Sequence, residues 1–349
     1  MAKNVVGIDI GSTSIRAVEV ARTRGNAPSI LRIAEVPLPI GSTSRGEVLE
    51  PNTVAAALRE LWAVGRFRTK DVALGMGNQR VLSRDLTVPK APLAQIRESL
   101  PFQVQDLLPV PVGEAILDFY PIAEGSGEGG PVVHGLLVAA IKDAVLANVR
   151  AVQLAGLHPV GVDLIPFALS RVLAPADVPA AAIVELGGNA TTVVIARHGV
   201  PHFVRIIPTG GDEVTKQIAV RLEISLEQAE VVKRWIGTGA RAQTADDVRA
   251  AAVVREATNE LIASIRNTLN YFVNTKGDGA PIARLVLAGA GSGLPGFGEA
   301  LAETTGVPTV VGDPFAGVHW ARSIAPEVVA ERGQSMAVAW GLAAGGRAA

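Results

Sequence analysis

Cysteine is absent from the 349 residues of the chain, which excludes disulfide bonds, thiolate zinc ligands and cysteine nucleophiles. Aromatic residues are also scarce, at 4%, although 48% of the residues are hydrophobic. Small aliphatic side chains must therefore form the core, and such a core suits helices packed closely on parallel strands. The length predicts two or three domains.

Neither sign of charge dominates, because the chain has 32 Lys and Arg residues and 33 Asp and Glu residues, which gives a net charge of −1. The charges are interspersed without a basic face, so we expect no nucleic-acid partner. No run approaches the roughly 18 uncharged apolar residues that span a bilayer, and the start of the chain does not resemble a signal peptide. We therefore expect a cytoplasmic protein that reaches a membrane only through a partner.

The same pattern of strand, glycine turn and strand opens each half of the chain. Val5–Ile10 is followed by a Gly-Ser-Thr turn and residues 15–20, and Ala181–Leu186 is followed by Gly-Gly-Asn and residues 191–196. This repeat predicts two α/β halves whose hairpins face each other across a cleft.

Other segments carry weaker predictions. Apolar spacing predicts helices over residues 93–108, broken at Pro101, and over residues 253–273. The glycine- and glutamate-rich residues 124–130 are predicted to be a mobile loop, and Asp246-Asp247 is predicted to cap a helix.

The first hairpin has the features of a phosphate site. The small residues of its turn can direct backbone N–H groups at an anion, and the hydroxyls of Ser12 and Thr13 can add donors. Asp9 ends the strand, where it can hold a hydrated Mg²⁺, and Arg16 can reach a phosphate from the second strand. Taken alone, the motif also fits an ordinary hairpin.

The second hairpin repeats this logic, with Glu185 at the strand end, Gly187 and Gly188 in the turn and Thr191 on the return strand. Gly-Gly-Asn is a good tight turn without any ligand. Two opposed hairpins of this kind, however, would form a clamp around a triphosphate, so the pair favours nucleotide binding.

A third glycine-rich segment follows the apolar residues 285–288. Gly289, Gly291 and Ser292 lie in a turn whose glycines permit a close approach of the backbone to a base and sugar. A sharp turn from strand to helix would explain this segment equally well if the two hairpins were missing.

In this order, the three motifs resemble the signature of the actin/Hsp70/FtsA superfamily. Longer segments, among them DLLPVPVGEAILDFYPI and GGDEVTKQIAVRLEISLEQAEVVKR, resemble the PilM family of type IV pilus assembly proteins. The resemblance implies an α/β, duplicated actin/Hsp70-like (ribonuclease H-like) ATPase fold with a nucleotide cleft and an FtsA-like 1C insertion. It implies subdomains 1A (1–68 and 162–178), 1C (69–161), 2A (179–208, and 281–349 with a closing helix) and 2B (209–280).

The resemblance also implies ATP and Mg²⁺ as ligands and supplies a set of site residues. The implied residues are Asp9, Gly11, Ser12, Thr13, Arg16, Glu185, Gly187, Gly188, Thr191, Glu230, Lys233, Gly289, Gly291 and Ser292, with Asp9 and Glu185 holding Mg²⁺ through water. Three positions depart from the family pattern: Arg16 replaces a lysine, Glu185 an aspartate and Ala290 a glycine.

One further departure concerns hydrolysis. Related ATPases carry an acid that orients the attacking water just before the helix that begins near residue 167, and here that position is Ile165. An apolar side chain cannot polarise water, and Asp163 comes too early in the strand. The resemblance therefore implies ATP binding with weak or absent hydrolysis.

The family implies an adaptor of the type IV pilus inner-membrane assembly complex. Such an adaptor binds the cytoplasmic N-terminal peptide of a PilN-like single-pass membrane protein between 1A and 1C, which places it at the inner face of the membrane. An FtsA-like filament-forming ATPase and a small-metabolite kinase are the alternatives, and a homo-oligomer is left open. Residues 345–349 carry no amphipathic helix of the FtsA type, and no convincing catalytic base for a kinase is present.

Overall fold

The computed structural model describes residues 4–21, 28–44, 46–238, 243–276, 281–322 and 324–345. The expectation for the chain end covers residues 345–349, of which 346–349 lie outside the described residues. In the described part, no helix is both long and apolar enough to cross a bilayer.

Strands and helices alternate along much of the chain. The strands are β1 (Val5–Ile10), β2 (Ser14–Ala21), β3 (Ser29–Pro37), β4 (Thr43–Ser44), β5 (Glu47–Val48), β6 (Asp71–Met76), β7 (Val81–Pro89), β8 (Ala115–Gly127), β9 (Gly130–Ile141), β10 (His158–Leu164), β11 (Ala181–Leu186), β12 (Thr191–Arg197), β13 (Val200–Ile207), β14 (Arg284–Ala288), β15 (Thr309–Val311) and β16 (His319–Trp320). The helices are α1 (Pro51–Gly65), α2 (Leu93–Gln103), α3 (Lys142–Leu154), α4 (Ile165–Leu173), α5 (Gly211–Leu222), α6 (Leu226–Ile236), α7 (Ala245–Lys276), α8 (Phe297–Thr305), α9 (Pro326–Arg332) and α10 (Ala337–Gly345).

Two mixed sheets carry the duplicated halves. The first has the order β10-β6-β1-β2-β3-β16, and the second has the order β13-β12-β11-β14-β15. In each sheet the opening hairpin is antiparallel, and its first strand also pairs with a parallel strand, β6 for β1 and β14 for β11. The predicted duplication of an α/β unit is therefore confirmed.

A separate three-stranded antiparallel sheet, in the order β7-β9-β8, is inserted between β6 and α3. Its inner face contributes Leu136 and Val138 to a buried cluster that also contains Phe167 of α4 and Val204 of β13. The ring of Tyr120 on β8 lies 4.6 Å from the ring of Phe167. The inserted sheet thus shares one core with elements of both halves.

The structure corrects the prediction of a mobile loop over residues 124–130. Here β8 continues to Gly127 and β9 begins at Gly130, and the two strands pair as a long hairpin as far as Gly127 opposite Gly130. Gly130 has a φ of +119°, which L-residues rarely adopt. The glycines that indicated a loop are therefore the residues that allow a tight reversal between paired strands.

Two predicted helix boundaries also change. The helix predicted over residues 93–108 ends at Gln103, after Pro101 within its last turn, and a short 3₁₀ turn follows at Gln105–Leu107. Helix α7 begins at Ala245, eight residues before the predicted start at 253.

The cap of α7 is not Asp246-Asp247 itself. The Thr244 hydroxyl accepts from the backbone N–H of Asp247, and the Asp247 carboxylate accepts from the backbone N–H of Thr244. Thr244 therefore caps this helix together with an acid three residues later, a reciprocal arrangement that stabilises the first turn.

Helix α10 is apolar on all sides, and its residues Ala337 to Ala343 are buried against β1, β2 and α4. Two glycines permit this packing. A Cβ atom on Gly7 of β1 would lie 2.0 Å from the Ala339 carbonyl oxygen, and one on Gly341 would lie 2.1 Å from the Ala168 carbonyl oxygen. Backbone therefore packs directly on backbone at the centre of the molecule.

We predict that Gly341→Ala destabilises the protein by about 1–3 kcal/mol, because the added methyl group forces α10 away from the backbone of α4. Alanine has a higher helix propensity than glycine by about 1 kcal/mol, and the destabilisation by the clash must exceed this gain. Urea unfolding measures the effect. Gly113→Ala is the control, because a Cβ atom there meets nothing within 4 Å. Equal stability of Gly341→Ala and the wild type would contradict this account of the packing.

Candidate functional site

A cavity of about 950 Å³ lies between the two opening hairpins. Its volume falls in the range of small-molecule and cofactor sites. All of the predicted site residues except Thr191 line it. These are Asp9, Gly11, Ser12, Thr13, Arg16, Glu185, Gly187, Gly188, Glu230, Lys233, Gly289, Gly291 and Ser292. Residues that are far apart in the sequence are thus brought to one place.

The two hairpin turns close in the same way. The N–H of Gly11 donates to the Ser14 carbonyl at 3.0 Å, and the N–H of Gly187 donates to the Ala190 carbonyl at 3.0 Å. In both turns the acid precedes the glycine by two residues, so Asp9 and Glu185 occupy equivalent strand ends. The hairpins also face each other closely, because a Cβ atom on Gly188 would lie 2.5 Å from the Ser12 hydroxyl oxygen.

Asp9 is buried beside the guanidinium of Arg16, which pairs with it across β1 and β2. The Arg16 Nη1 lies 3.5 Å from Asp9 Oδ2, and the Arg16 Nε lies 3.0 Å from Oε1 of Glu35 on β3. Burial raises the pKa of Asp9, and the charge and hydrogen bond of Arg16 oppose that rise. Arg16 is therefore engaged by two carboxylates.

Glu185 also has a raised pKa. Burial, with the nearby charge of Asp9, raises its pKa to about 8, against the opposing effects of Arg16 and a hydrogen bond with Thr192. The side chain of Thr192 lines the cavity. That of the predicted Thr191 does not: its hydroxyl donates to the Thr209 carbonyl at 2.8 Å. Because alternate residues of a strand face opposite sides of the sheet, only one of the two threonines can face the cavity.

Glu230 and Lys233 lie on the face of α6 that borders the cavity. Lys233 Nζ donates to the Thr215 hydroxyl at 2.7 Å and to the Gly211 carbonyl at 3.0 Å, which ties α6 to α5. Burial acts against the charge of Glu230, but hydrogen bonds from Lys233, Thr215 and Arg234 lower its pKa to about 2. These residues form a partly buried ionic network rather than an ordinary solvated helix face.

The third motif forms a loop that only glycine fits. Gly289 has a φ of +81°, and a Cβ atom there would lie 2.7 Å from the Leu186 carbonyl oxygen. A Cβ atom on Gly291 would lie 2.8 Å from the Leu186 Cβ. The Ser292 hydroxyl donates to the Gly289 carbonyl at 2.8 Å, which closes the turn. The loop is therefore held against the end of β11, directly behind Glu185.

Ile165 begins α4 and lines the cavity. Its side chain fills the space above Gly77, where a Cβ atom would lie 2.8 Å from it. Asp163 is not among the lining residues, and its carboxylate forms an ion pair with Arg171 of α4. The carboxylate nearest to Ile165 in the sequence is therefore committed elsewhere.

Several lining residues were not predicted. They include Glu35, Thr192 and Asp212, and other polar ones are Arg234, Arg332, Gln334 and Ser335. Asp212 accepts a hydrogen bond from the Ser12 hydroxyl at 3.2 Å and so joins the two halves. Thr43, next to the cavity, donates to the Gly11 carbonyl at 3.1 Å and braces the first turn. Asp212 carries a sequence signal, because it belongs to the Gly-Gly-Asp at the start of α5. Glu35 carries none, since it reaches the cavity through the pairing of β3 with β2.

Among the described residues of the cavity, protein side chains alone do not form a complete metal site. Among the described residues, no group of three or more His, Cys, Asp or Glu side chains is arranged to hold an ion. Mg²⁺ differs from zinc in this respect, because it commonly keeps several waters and takes one or two carboxylates plus substrate phosphates. Asp9 and Glu185 fit that second pattern.

Comparison with protein families gives a match along nearly the whole chain. The family described as type IV pilus assembly protein PilM matches residues 7–346. The cell division protein FtsA of Bacillus subtilis (strain 168) is 24% identical over 260 residues, which cover 66% of this chain. The match spans 58% of that relative's length.

Solved structures extend these similarities. The PilM-PilN type IV pilus biogenesis complex superposes with a TM-score of 0.85 and 29% identity, covering 99% of this chain and 98% of that one. MreB 5 of Spiroplasma citri bound to AMPPNP gives a TM-score of 0.55 at 12% identity, covering 98% and 95% of the two chains. The actin-like ATPase fold is therefore confirmed.

The raised pKa of Glu185 predicts a pH-dependent stability. Between the ordinary pKa of 4.5 and the folded value of about 8, the folded state keeps a proton that the unfolded state has lost. Rising pH therefore costs stability over this window, by at most about 1.4 kcal/mol per pH unit, and the loss stops above the folded pKa.

The Glu185→Gln substitution removes the titrating carboxyl group and with it this contribution to the pH dependence of stability. We expect its free energy of unfolding, relative to the wild type, to increase as the pH rises from 5 to 8 and then to level off. Urea unfolding at a series of pH values measures the difference. Glu124→Gln, at an exposed side chain of β8, should follow the wild-type profile. If the difference in the free energy of unfolding between Glu185→Gln and the wild type does not change with pH, the raised pKa of Glu185 is contradicted.

Proposed function

The chain belongs to the family of type IV pilus assembly proteins PilM, and we propose that it is an ATP-binding adaptor of the pilus assembly machinery at the cytoplasmic face of the inner membrane. One observation carries the proposal: the likeness to the PilM-PilN type IV pilus biogenesis complex covers 99% of the chain. The cavity between the paired hairpins supports the nucleotide part, and the outer edge of β10 would take the partner.

The residues of the cavity fit a nucleotide with Mg²⁺. The backbone N–H groups that follow Gly11 and Gly187 in their turns would bind phosphates. The loop at Gly289 packs closely against the end of β11 and lines the same cavity. Asp9 and Glu185 would hold hydrated Mg²⁺, and Glu230 with Lys233 would border the adenosine. When bound, the metal would neutralise phosphate charge beside these acids.

Hydrolysis is a separate matter, because no carboxylate stands at the start of α4. Ile165 fills that place against Gly77, and Asp163 is paired with Arg171. A water molecule in the cavity would therefore lack the base that related ATPases supply. We propose that this chain binds ATP and turns it over very slowly.

We expect phosphate release below the range of roughly 1 to 10³ per second that is typical of enzymes. Ile165→Glu should raise the residual rate, because it places a carboxylate beside the cavity. Ile165→Val is the matched control, since it keeps the position apolar. Binding of ATP by both variants shows that the cavity is intact. Wild-type turnover within the enzymatic range, or no increase with Ile165→Glu, would contradict this proposal.

The proposed partner is a PilN-like single-pass membrane protein, whose cytoplasmic N-terminal peptide would tether this chain to the membrane. The solved complex that resembles this chain is named for PilM and PilN, which supports the choice of partner. In the described residues no helix could span a bilayer, so membrane association through a partner is consistent with the fold.

The place that best fits such a peptide is the outer edge of β10, which lies where the proposed subdomains 1A and 1C meet. This strand pairs with β6 on one side, and no described strand pairs with it on the other. Val160 and Val162 are 44% and 40% exposed along it. An extended peptide can add to such an edge through main-chain hydrogen bonds, while its side chains find apolar contacts.

A fluorescent N-terminal peptide of the cognate PilN-like protein should bind the intact protein, and a scrambled peptide should bind much more weakly. Val162→Glu should weaken binding about tenfold or more, because a desolvated charge would replace an apolar contact. Val220→Glu is the matched control, since this valine is 77% exposed on α5 in the other half. If the cognate peptide binds no better than the scrambled one, the adaptor proposal fails and the kinase and filament alternatives return.

A further inference from the structure

Glu35 is an acid of the cavity that belongs to none of the recognised motifs. It lies on β3, directly opposite Arg16 of β2 in the sheet register. Its Oε1 lies 3.0 Å from the Arg16 Nε, and the side chains are only 25% and 17% exposed, respectively. The ion pair is therefore partly shielded from solvent, where charge interactions are stronger than at the surface.

Arg16 is held from both neighbouring strands at once. The Arg16 Nη1 donates a hydrogen bond to Asp9 Oδ2 on β1 at 3.5 Å. Glu35 Oε1 on β3 lies 3.0 Å from the Arg16 Nε, which makes an ion pair without the geometry of a hydrogen bond. Movement of the guanidinium toward a ligand would separate it from one or both of these carboxylates, and that separation costs charge attraction in a partly shielded place. The trio carries a net charge of −1 when both acids are ionised, although it lies where the proposed function places phosphates.

We propose that Glu35 is a positioning residue that limits the affinity of the cavity for polyphosphate by retaining the Arg16 guanidinium. This inference rests on the proposed nucleotide binding and adds a determinant of its strength. A bound phosphate has to compete with Glu35 for Arg16. Removal of the Glu35 charge therefore frees the guanidinium to bind the nucleotide, and the affinity of the cavity for the polyphosphate rises.

The test is a titration of Mg·ATP by calorimetry into the wild type, Glu35→Gln, Arg16→Ala and the double variant. Glutamine keeps the size of Glu35 and can still accept a hydrogen bond, but it lacks the charge. We expect Glu35→Gln to bind about three- to tenfold more tightly than the wild type. A gain in affinity cannot come from damage to the fold.

The control variant is Glu256→Gln, which removes the charge of another glutamate paired with an arginine, Arg221, away from the cavity. It should bind Mg·ATP as the wild type does. The gain from Glu35→Gln should disappear when Arg16 is alanine, because there is then no guanidinium to release.

The outcomes separate this inference from the proposed function. If the wild type binds Mg·ATP and Glu35→Gln binds no more tightly, the inference is wrong while nucleotide binding stands. If the gain persists undiminished in the Arg16→Ala background, Glu35 acts by direct repulsion and the positioning role is wrong. If neither the wild type nor any variant binds, both proposals fail together.

Discussion

The burial of two carboxylates at equivalent strand ends is the constraint on which the architecture of the cavity depends. Asp9 is buried and Glu185 is partly buried, and the pKa values of both are raised. Arg16 is the basic residue that acts on both of them. The burial of ionised acids with too few counter-charges is unfavourable. A neighbouring protein group, a bound proton or a ligand must then offset the negative charge. The position suits hydrated Mg²⁺ with phosphates, and without them protonation of Glu185 is the available relief.

The rest of the structure holds these two strand ends in place. The glycine turns close through their own hydrogen bonds, the glycine loop at Gly289 supports Glu185 from behind, and α10 packs backbone against backbone beneath β1. The same buried core reaches the inserted sheet through Tyr120 and Phe167. Phe167 lies two residues after Ile165 of the cavity, so the end of α4 at the cavity and the inserted sheet are parts of one packed unit.

The sequence predicted the repeated hairpins well, because each combines a short apolar strand with a glycine turn, and these signals are local. For the same reason it placed Asp9 and Glu185 at the ends of the two strands, where the structure has them. The sequence predicted Thr191 as the site residue, whereas Thr192 lines the cavity. Which of two neighbouring strand residues faces the cavity depends on strand register rather than on composition. It missed Glu35, because that residue enters the cavity only through the pairing of β3 with β2. The hairpin at residues 124–130 was mistaken for a loop, since its glycines indicate flexibility until the two strands are paired.

The central claim is that the paired hairpins bind a nucleotide through its metal and phosphates. Calorimetric titration of Mg·ATP into the wild type and Asp9→Ala tests it most directly, with Asp106→Ala as a control at an acid outside the cavity. The account predicts binding by the wild type and the control, and binding at least about tenfold weaker by Asp9→Ala, because the metal loses a carboxylate. Absence of binding by the wild type at millimolar Mg·ATP, or equal binding by all three proteins, would contradict it.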